Sequence, residues 1–288
     1  MRILILGGDG MLGHQLLCSW QERHEVAVTL RRPLQTYSEY GIFTRENSYD
    51  AIDARELGRL HEVLRDFQPE VVVNAVGIVK QRDEAHAAIP SIEVNALLPH
   101  RLHAACAELG VRLVHLSTDC VFSGDKGGYR EGDLEDARDL YGRSKLLGEL
   151  RQAPAITLRT SIIGLELSRK KSLIEWFLAQ HGRIQGYRRA IYSGFTTIEM
   201  ARIIERILTR HADMYGLWHV ASQPISKYDL LLQLAHLLHK DIEIVADDSF
   251  VCDRSLDASR FNAHTGYRPP TWDVMLAELA EQVRERKA

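Results

Sequence analysis

The sequence predicts an α/β fold, in which a doubly wound parallel sheet is followed by a smaller, mixed C-terminal lobe. Through the first 160 residues, short apolar runs alternate with helix-length amphipathic segments, and this alternation is typical of βαβ units. Several of the runs are apolar nearly throughout, as expected for strands that helices cover on both faces. The first run leads directly into a glycine-rich turn, which is a common opening of a βαβ unit.

The strands and helices follow in order from these patterns. Strands are predicted over Arg2–Leu6, Glu25–Leu30, Glu70–Asn74, Arg112–Leu116 and Ile156–Arg159. Helices are predicted over Met11–Gln21, Ala54–Phe67, Ile92–Glu108, Leu140–Arg151, Ser226–Leu238 and Trp272–Glu285. After Arg159 the alternation loosens, and Asp247–Ser255 is polar and irregular. The apolar segment Leu217–Val220 is suited to return to the sheet.

The composition is that of an ordinary soluble enzyme and argues against several other classes. The chain has 288 residues, of which 45% are hydrophobic and 26% charged, enough for one large domain or two ordinary ones. A formal net charge of −3 and the lack of a long basic stripe give no case for nucleic acid as a partner. No apolar run approaches membrane-spanning length, so no membrane association is expected. The four cysteines are scattered and the histidines lack metal-ligand spacing, which favours the cytoplasm and predicts no metal.

The turn after the first strand, "ILILGGDGMLG", has the glycine spacing of a phosphate-binding loop. Gly7, Gly10 and Gly13 fit G-x-x-G-x-x-G, and Gly8 with the last two also fits G-x-G-x-x-G. Such glycines permit a tight turn and let the backbone approach a pyrophosphate. The start of the following helix then offers free N–H groups and the positive end of its dipole. The predicted cofactor contacts here are Gly7, Gly10, Met11, Leu12 and Gly13.

These signals divide the chain by function. Residues 1–160 are predicted to form a dinucleotide-binding domain, to which the stretch of about 190–222 returns. Residues 161–189 and 223–288 are predicted to form a substrate-binding lobe.

Two arginines at the end of the second predicted strand bear on which dinucleotide binds. An acidic residue there would bond the adenine ribose hydroxyls and favour NAD. This chain instead has Arg31 and Arg32, and a guanidinium suits a ribose 2′-phosphate. NADP(H) is therefore predicted as the preferred cofactor, with NAD(H) as the alternative. A solvated basic turn before Pro33 is the other interpretation of the two arginines.

The segment "LYGRSKLLGE" places Tyr141 and Lys145 four residues apart in a helical pattern, so both lie on one helix face. A free tyrosine, with a pKa of about 10, is a poor acid at neutral pH. A nearby ammonium favours the phenolate, and such a pair can pass a proton to or from an alkoxide. Thr118 follows the preceding strand, where the ligand crevice of a doubly wound sheet lies. Its hydroxyl is therefore predicted to bond the substrate oxygen.

With these motifs in place, the chain resembles an extended short-chain dehydrogenase/reductase with a Rossmann-type fold. The resemblance is strongest to the dTDP-4-dehydrorhamnose reductase branch of the sugar-nucleotide enzymes. It rests on "GGDGMLG", "VVVNAVG", "STDCVFSG", "YGRSKLLGE" and "LRTS", which occur in the family's order. It covers residues 1–165 well and continues more faintly through "GFTTIEMARII", "GLWHVAS" and "RSLDASRF".

The resemblance implies roles for individual residues. Thr118, Tyr141 and Lys145 would be the catalytic set, with Lys145 also holding the nicotinamide ribose hydroxyls. Asp53 and Ala54 would lie near the adenine. The cofactor would also be lined by Asn74, Ala75 and Val76.

Two departures from the family pattern concern the substrate. Cys120 stands where the family reductases usually carry an aromatic residue, and the stretch after Val76 brings in Lys80. Lys80 is a candidate for a substrate phosphate, with a solvated helix-start lysine as the other interpretation. The substrate-binding candidates are Lys80, Asp119, Cys120 and Arg254.

The resemblance implies NADPH-dependent reduction of the 4-keto group of a nucleotide-linked 6-deoxy sugar, in deoxysugar or surface-polysaccharide biosynthesis. The alternatives are a nucleotide-sugar epimerase with bound NAD and a non-catalytic dinucleotide-binding regulatory subunit. A 4,6-dehydratase of the family carries Asp and Glu directly after the catalytic threonine. Here Asp119 is followed by Cys120, and a thiol with a pKa of about 8.5 cannot replace the glutamate. The partner expected is the sugar nucleotide, and a homodimer stays open.

Overall fold

The computed structural model describes residues 1–79, 87–168 and 170–287. The strands in chain order are β1 (Arg2–Leu6), β2 (Glu25–Thr29), β3 (Ser48–Tyr49), β4 (Val71–Asn74), β5 (Arg112–Thr118), β6 (Ala155–Thr160), β7 (Ile162–Ile163), β8 (Gly182–Tyr187), β9 (Ala190–Tyr192), β10 (Phe195–Thr196), β11 (Gly216–His219), β12 (Ile225–Ser226), β13 (Ile242–Asp247) and β14 (Cys252–Asp253). The helices are α1 (Met11–Trp20), α2 (Leu57–Phe67), α3 (Ala88–Ser91), α4 (Leu98–Leu109), α5 (Leu140–Leu147), α6 (Leu173–Ala179), α7 (Thr197–Arg210), α8 (Lys227–Leu237), α9 (Ser259–Thr265) and α10 (Trp272–Lys287). Short 3-10 helices cover Leu34–Tyr40 and Asp119–Val121, and a π-helical segment covers Ile92–Leu97.

The central sheet has seven strands in the order β3-β2-β1-β4-β5-β6-β11. The pairs β1–β2, β1–β4, β4–β5 and β2–β3 are parallel. The order of the first six strands is that of a doubly wound dinucleotide-binding sheet, in which ligands bind beyond the carboxyl ends of the strands. The predicted fold class is therefore confirmed, and the return of Leu217–Val220 to the sheet appears as β11.

The strands are central because their side chains are apolar on both faces. In register across three neighbouring strands, Leu4, Val72 and Leu113 have no solvent-exposed surface. Helices α2 and α4 cover one face and contribute Leu64 and Leu102 to the same cluster. Burying a leucine or valine contributes about 1.5–3 kcal/mol, so this core holds the strand ends in place.

The chain forms two compact units. The first comprises Met1–Ser117, Asp139–Leu158 and Ala212–Leu217, and the second comprises Thr118–Arg138, Arg159–His211 and Trp218–Ala288. The second unit contains small sheets in which β13 pairs with β8 in parallel and β12 pairs with β9 antiparallel. The assignment of cofactor binding to residues 1–160 and of substrate binding to the remaining lobe stays a prediction.

One predicted helix, Ile92–Glu108, is interrupted at its start. The chain first forms the π-helical segment Ile92–Leu97 and then continues as α4. Pro99 has no N–H to bond the carbonyl of Asn95, four residues earlier, so a regular α-helix cannot run through this point.

Other boundaries also differ from the expected ones, and the largest difference is at α5, which ends at Leu147 and not at Arg151. Helix α2 begins at Leu57, because Asp53 first closes a turn in which its carboxylate accepts from the Arg55 N–H at 3.0 Å. Strand β5 continues to Thr118, two residues beyond its predicted end. The polar residues at its tip are therefore part of the sheet. Within the described residues, no helix is both long and apolar enough to cross a bilayer.

Candidate functional site

The glycine turn between β1 and α1 cannot accommodate side chains. Gly7 has a φ of +83°, a conformation that favours glycine. A Cβ on Gly13 would lie 2.1 Å from the Gly7 carbonyl oxygen, and one on Gly8 would lie 2.5 Å from Val28. The first-turn amides of a helix have no acceptor within the helix. Gly10, which precedes α1, adds no side-chain cap to them. The turn is thus as tight as the glycine spacing predicts, and its binding of a pyrophosphate stays a prediction.

A buried tyrosine ties this turn to the segment that follows β2. The Tyr37 hydroxyl donates to Asp9 Oδ2 at 3.1 Å and accepts from the Arg32 N–H at 3.3 Å. Burial, and then the neighbouring Asp9 carboxylate, raise the pKa of Tyr37 to about 12. The side chains of Arg31 and Arg32 are exposed. Sequence reasoning missed Tyr37, whose only signal was its position five residues beyond the arginine pair.

Asp53 lies after β3, and its carboxylate is hydrogen-bonded by Arg55. Arg55 donates to both of its carboxylate oxygens at 2.6–3.2 Å. These bonds, together with the charges of Arg55 and Arg31, lower the pKa of Asp53 to about 2. Ala54 follows in the same turn and is partly buried. Arg31 and Asp53, predicted on separate grounds to contact the adenosine part of the cofactor, therefore interact electrostatically.

The residues after β4 pack against the glycine turn. Ala75 N–H donates to the Leu6 carbonyl at 3.1 Å, and a Cβ on Gly7 would lie 3.0 Å from Val76. The Asn74 side chain is used internally: Oδ1 accepts from the Val76 N–H, and Nδ2 donates to His115 Nδ1, both at 3.2 Å. Asn74 thus holds the turn, while the backbone of the next two residues lies beside the predicted phosphate site.

Helix α5 carries the tyrosine–lysine pair. Asp139 caps the start of the helix, and its carboxylate accepts from the Gly142 N–H at 2.9 Å. Tyr141 is partly buried, whereas Lys145 is only 5% exposed. Lys145 Nζ donates to the Leu116 carbonyl of β5 at 2.6 Å. Burial lowers the pKa of Lys145 to about 8, although the Glu149 carboxylate opposes this effect. A pKa lowered toward neutrality by burial makes Lys145 a candidate for a proton-transfer site.

The π-helical segment positions α5. Buried Asn95 donates through Nδ2 to the Ile78 carbonyl at 2.9 Å and to Ser144 Oγ at 3.1 Å, and its Oδ1 accepts from the Ile78 N–H. A Cβ on Gly148 would lie 2.0 Å from the Asn95 carbonyl oxygen, so only glycine permits this contact. Asn95 was not predicted; its signal is an amide four residues before Pro99 in an otherwise apolar helical pattern.

Thr118 ends β5 and begins a short polar cluster. Its hydroxyl accepts from the Cys120 N–H and donates to Asp119 Oδ1, both at 3.1 Å. Asp119 is buried, and burial raises its pKa, partly offset by hydrogen bonds and by the Arg254 charge. Arg254 Nε donates to the Phe122 carbonyl at 2.8 Å. The second unit thus brings together Thr118 and three of the four predicted substrate residues.

The fourth, Lys80, lies outside the described residues. Among the residues that are described, no three His, Cys, Asp or Glu side chains are grouped so as to hold a metal ion.

Comparison with known protein families identifies the family of this chain. The profile of the RmlD substrate binding domain matches residues 1–285. The chain belongs to this family. The resemblance found from the motifs is thereby confirmed.

Two curated relatives resemble the chain over most of its length. The dTDP-4-dehydrorhamnose reductase of Aggregatibacter actinomycetemcomitans is 27% identical, over 96% of this chain and 98% of the relative. The probable dTDP-4,6-dihydroxy-2-methyloxan-3-one 4-ketoreductase of Streptomyces antibioticus is 30% identical, over 84% of this chain and 78% of the relative.

The fold of this RmlD family member also matches solved structures. The dTDP-4-dehydrorhamnose reductase of Bacillus anthracis, solved in complex with NADP, superimposes with a TM-score of 0.79 at 20% identity. The match covers 98% of this chain and 99% of that one. It shows that the two proteins share their fold over nearly all of this chain.

A second group that sequence reasoning missed surrounds Arg159 of the "LRTS" motif. This guanidinium is fully buried, pairs with Glu135, lies 5.2 Å from the centre of the Phe122 ring and contacts His219 Nε2 at 3.3 Å. Its partners are 24 to 60 residues away, so no local pattern could have revealed them.

Proposed function

We propose that this protein is an NADPH-dependent reductase of the 4-keto group of a nucleotide-linked 6-deoxy sugar, as its dTDP-4-dehydrorhamnose reductase relatives are named. The observation that carries the proposal is the buried Lys145, one turn after Tyr141, fastened to the strand that ends at Thr118. The family match over residues 1–285 supports the same reaction class.

The chain's residues fit the cofactor. The glycine turn and the first turn of α1 would hold the pyrophosphate through backbone N–H groups. Arg31, with its electrostatic link to Asp53, would hold the 2′-phosphate, and Arg32 is the second exposed cation there. Ala75 and Val76 would line the nicotinamide half. This arrangement favours NADP(H), while NAD(H) remains able to bind the shared phosphate site.

When bound, NADPH supplies a hydride to the carbonyl carbon. Thr118 would polarise the carbonyl by donating a hydrogen bond to its oxygen. Tyr141 would give its phenolic proton to the oxygen as negative charge develops there. The Lys145 ammonium would favour the resulting phenolate and bond the nicotinamide ribose. Asp119 would contact the sugar or the loop backbone, and Cys120 would fill space.

The proposal also covers the division of the chain, its location in the cell and its oligomeric state. The cofactor would belong to residues 1–160 and the sugar nucleotide to the remaining lobe, in a cytoplasmic protein. A homodimer is compatible with these roles, and light scattering on the purified chain would measure its mass.

The proposal is tested by following NADPH oxidation against a panel of 4-keto-6-deoxy nucleotide sugars. We expect oxidation with at least one of them, and no 4-keto product from an unmodified nucleotide hexose, because Cys120 replaces the glutamate that elimination needs. Tightly bound NAD with no net oxidation of NADPH would indicate an epimerase instead. Binding without turnover on any sugar would indicate a regulatory subunit.

A further inference from the structure

Two hydrogen bonds join α5 and the residues just after it to the last residues of β5. One is the bond from Lys145 Nζ to the Leu116 carbonyl at 2.6 Å. The other runs in the opposite direction: Ser117 Oγ donates to Glu149 Oε1 at 2.7 Å. The Glu149 side chain is only 2% exposed. A carboxylate buried so deeply needs compensating partners: besides the Ser117 hydroxyl, Arg151 lies 3.7 Å from its second oxygen, and the carboxylate charge also acts on Lys145.

Within the described residues, Glu149 is the carboxylate whose charge acts on Lys145. The other titratable groups around Lys145 are basic or phenolic. From β5, His115 faces Lys145, but burial, and then the Lys145 charge, hold the His115 pKa well below its usual value. Its Nδ1 accepts from Asn74, so the proton of the neutral ring is on Nε2. Tyr141 lies one turn earlier on the same helix.

Two more basic residues lie at the edge of this group. Exposed Arg151 is 3.7 Å from the second oxygen of Glu149, and His100 interacts electrostatically with His115. Neither supplies negative charge. The carboxylate of Glu149 therefore acts on Lys145 against the effect of burial.

We propose that Glu149 is a positioning residue for Lys145: its buried carboxylate, held by the Ser117 hydroxyl, keeps the ammonium charged and fastened to the end of β5. Since Ser117 immediately precedes Thr118, the same bond sets the position of the strand end that carries the threonine. The importance of this device for catalysis rests on the proposed function, but the ionisation of Lys145 does not.

The test is a pH titration of the full-length protein, without added cofactor, labelled with ¹³Cε-lysine and followed by NMR. The Lys145 resonance is assigned by its loss in Lys145→Arg. Glu149→Gln keeps an acceptor for Ser117 and removes only the charge. We expect it to lower the Lys145 pKa by about one pH unit. The matched control is Glu281→Gln, which removes an exposed carboxylate paired with Arg284 on α10 and should leave the titration unchanged.

Ser117→Ala provides an independent variant, because it keeps the Glu149 carboxylate but removes the hydroxyl that holds it in place. We expect a smaller decrease of the Lys145 pKa, and this variant carries the test if Glu149→Gln does not fold. An unchanged Lys145 titration in a folded Glu149→Gln protein, or in Ser117→Ala when that variant carries the test, would overturn the proposal. If the Lys145 pKa decreases as expected but the parent protein reduces no 4-keto sugar, this inference stands and only the proposed function is contradicted.

Discussion

Among the described residues, each of the two units buries one lysine or arginine side chain, and the two have different partners. Lys145 is bonded to a neutral carbonyl, and burial brings its pKa down to about 8. Arg159 is paired directly with the Glu135 carboxylate and packs over Phe122. An arginine stays charged at any physiological pH, whereas a buried lysine can lose its proton. The comparison supports the proposal that Lys145 takes part in proton transfer, while the Arg159 pair is expected to stabilise the second unit.

Replacing Lys145 should separate activity from stability. Lys145→Met keeps the length and the apolar stem but removes the ammonium, so turnover should fall about a hundred- to ten-thousandfold. The free energy of unfolding at pH 7 should fall only modestly, because burial already disfavours the charged lysine and because Glu149 keeps its bond to Ser117 and its nearby cation, Arg151. Steady-state kinetics and urea denaturation measure the two effects. A variant that fails to fold would show that Lys145 is structural, and the comparison would break down.

The opposite outcome is expected at the arginine. Glu135→Gln leaves the Arg159 guanidinium buried without its counter-charge, which should cost about 3–5 kcal/mol of unfolding free energy. Urea denaturation measures this loss directly, and Glu281→Gln, which breaks only an exposed pair with Arg284, is the control. A loss of less than about 1 kcal/mol would mean that the buried pair does not stabilise the second unit.

A third cation, exposed Arg31, sharpens the comparison because its expected partner is a ligand. Arg31→Ala should weaken NADPH binding by about ten- to a hundredfold, since a charge-assisted contact to the 2′-phosphate is lost. NADH binding should change little. Titration of both cofactors by fluorescence makes the test, and equal losses for both would contradict the assignment.

The pH dependence should also follow from the lysine. The Lys145 pKa is lowered to about 8, so the protonated form predominates below that pH and is lost above it. The reduction rate should therefore decline as the pH rises through about 8. In Lys145→Arg the remaining activity should lack this decline, because a guanidinium does not titrate there. The same decline in the arginine variant would assign it to another group.

How much could be predicted depended on the distance along the chain between interacting groups. The glycine turn and the Tyr141–Lys145 pair were predictable, because each is encoded within a few consecutive residues. The partners that hold them were not: Glu149 is bonded to a serine 32 residues away, and Asn95 to a serine 49 residues away. Such contacts exist only once the sheet has formed, and no local spacing encodes them.

The same reasoning explains the helix errors. Pro99 was visible in the sequence, but the π-helical segment also depends on Asn95 finding the Ile78 backbone, which lies in another loop. The end of β5 was placed two residues early because hydroxyl residues at a strand tip resemble a turn.

The most direct test of the account is the comparison of Tyr141→Phe with the parent protein on the best 4-keto sugar nucleotide. In the proposed mechanism the phenol oxygen serves proton transfer and not cofactor binding, so NADPH affinity should stay within about twofold while turnover falls about a hundred- to ten-thousandfold. Stopped-flow measurement of NADPH oxidation, with cofactor binding measured on the same samples, gives both values. A Tyr141→Phe protein that binds NADPH and retains most of its turnover would contradict the account.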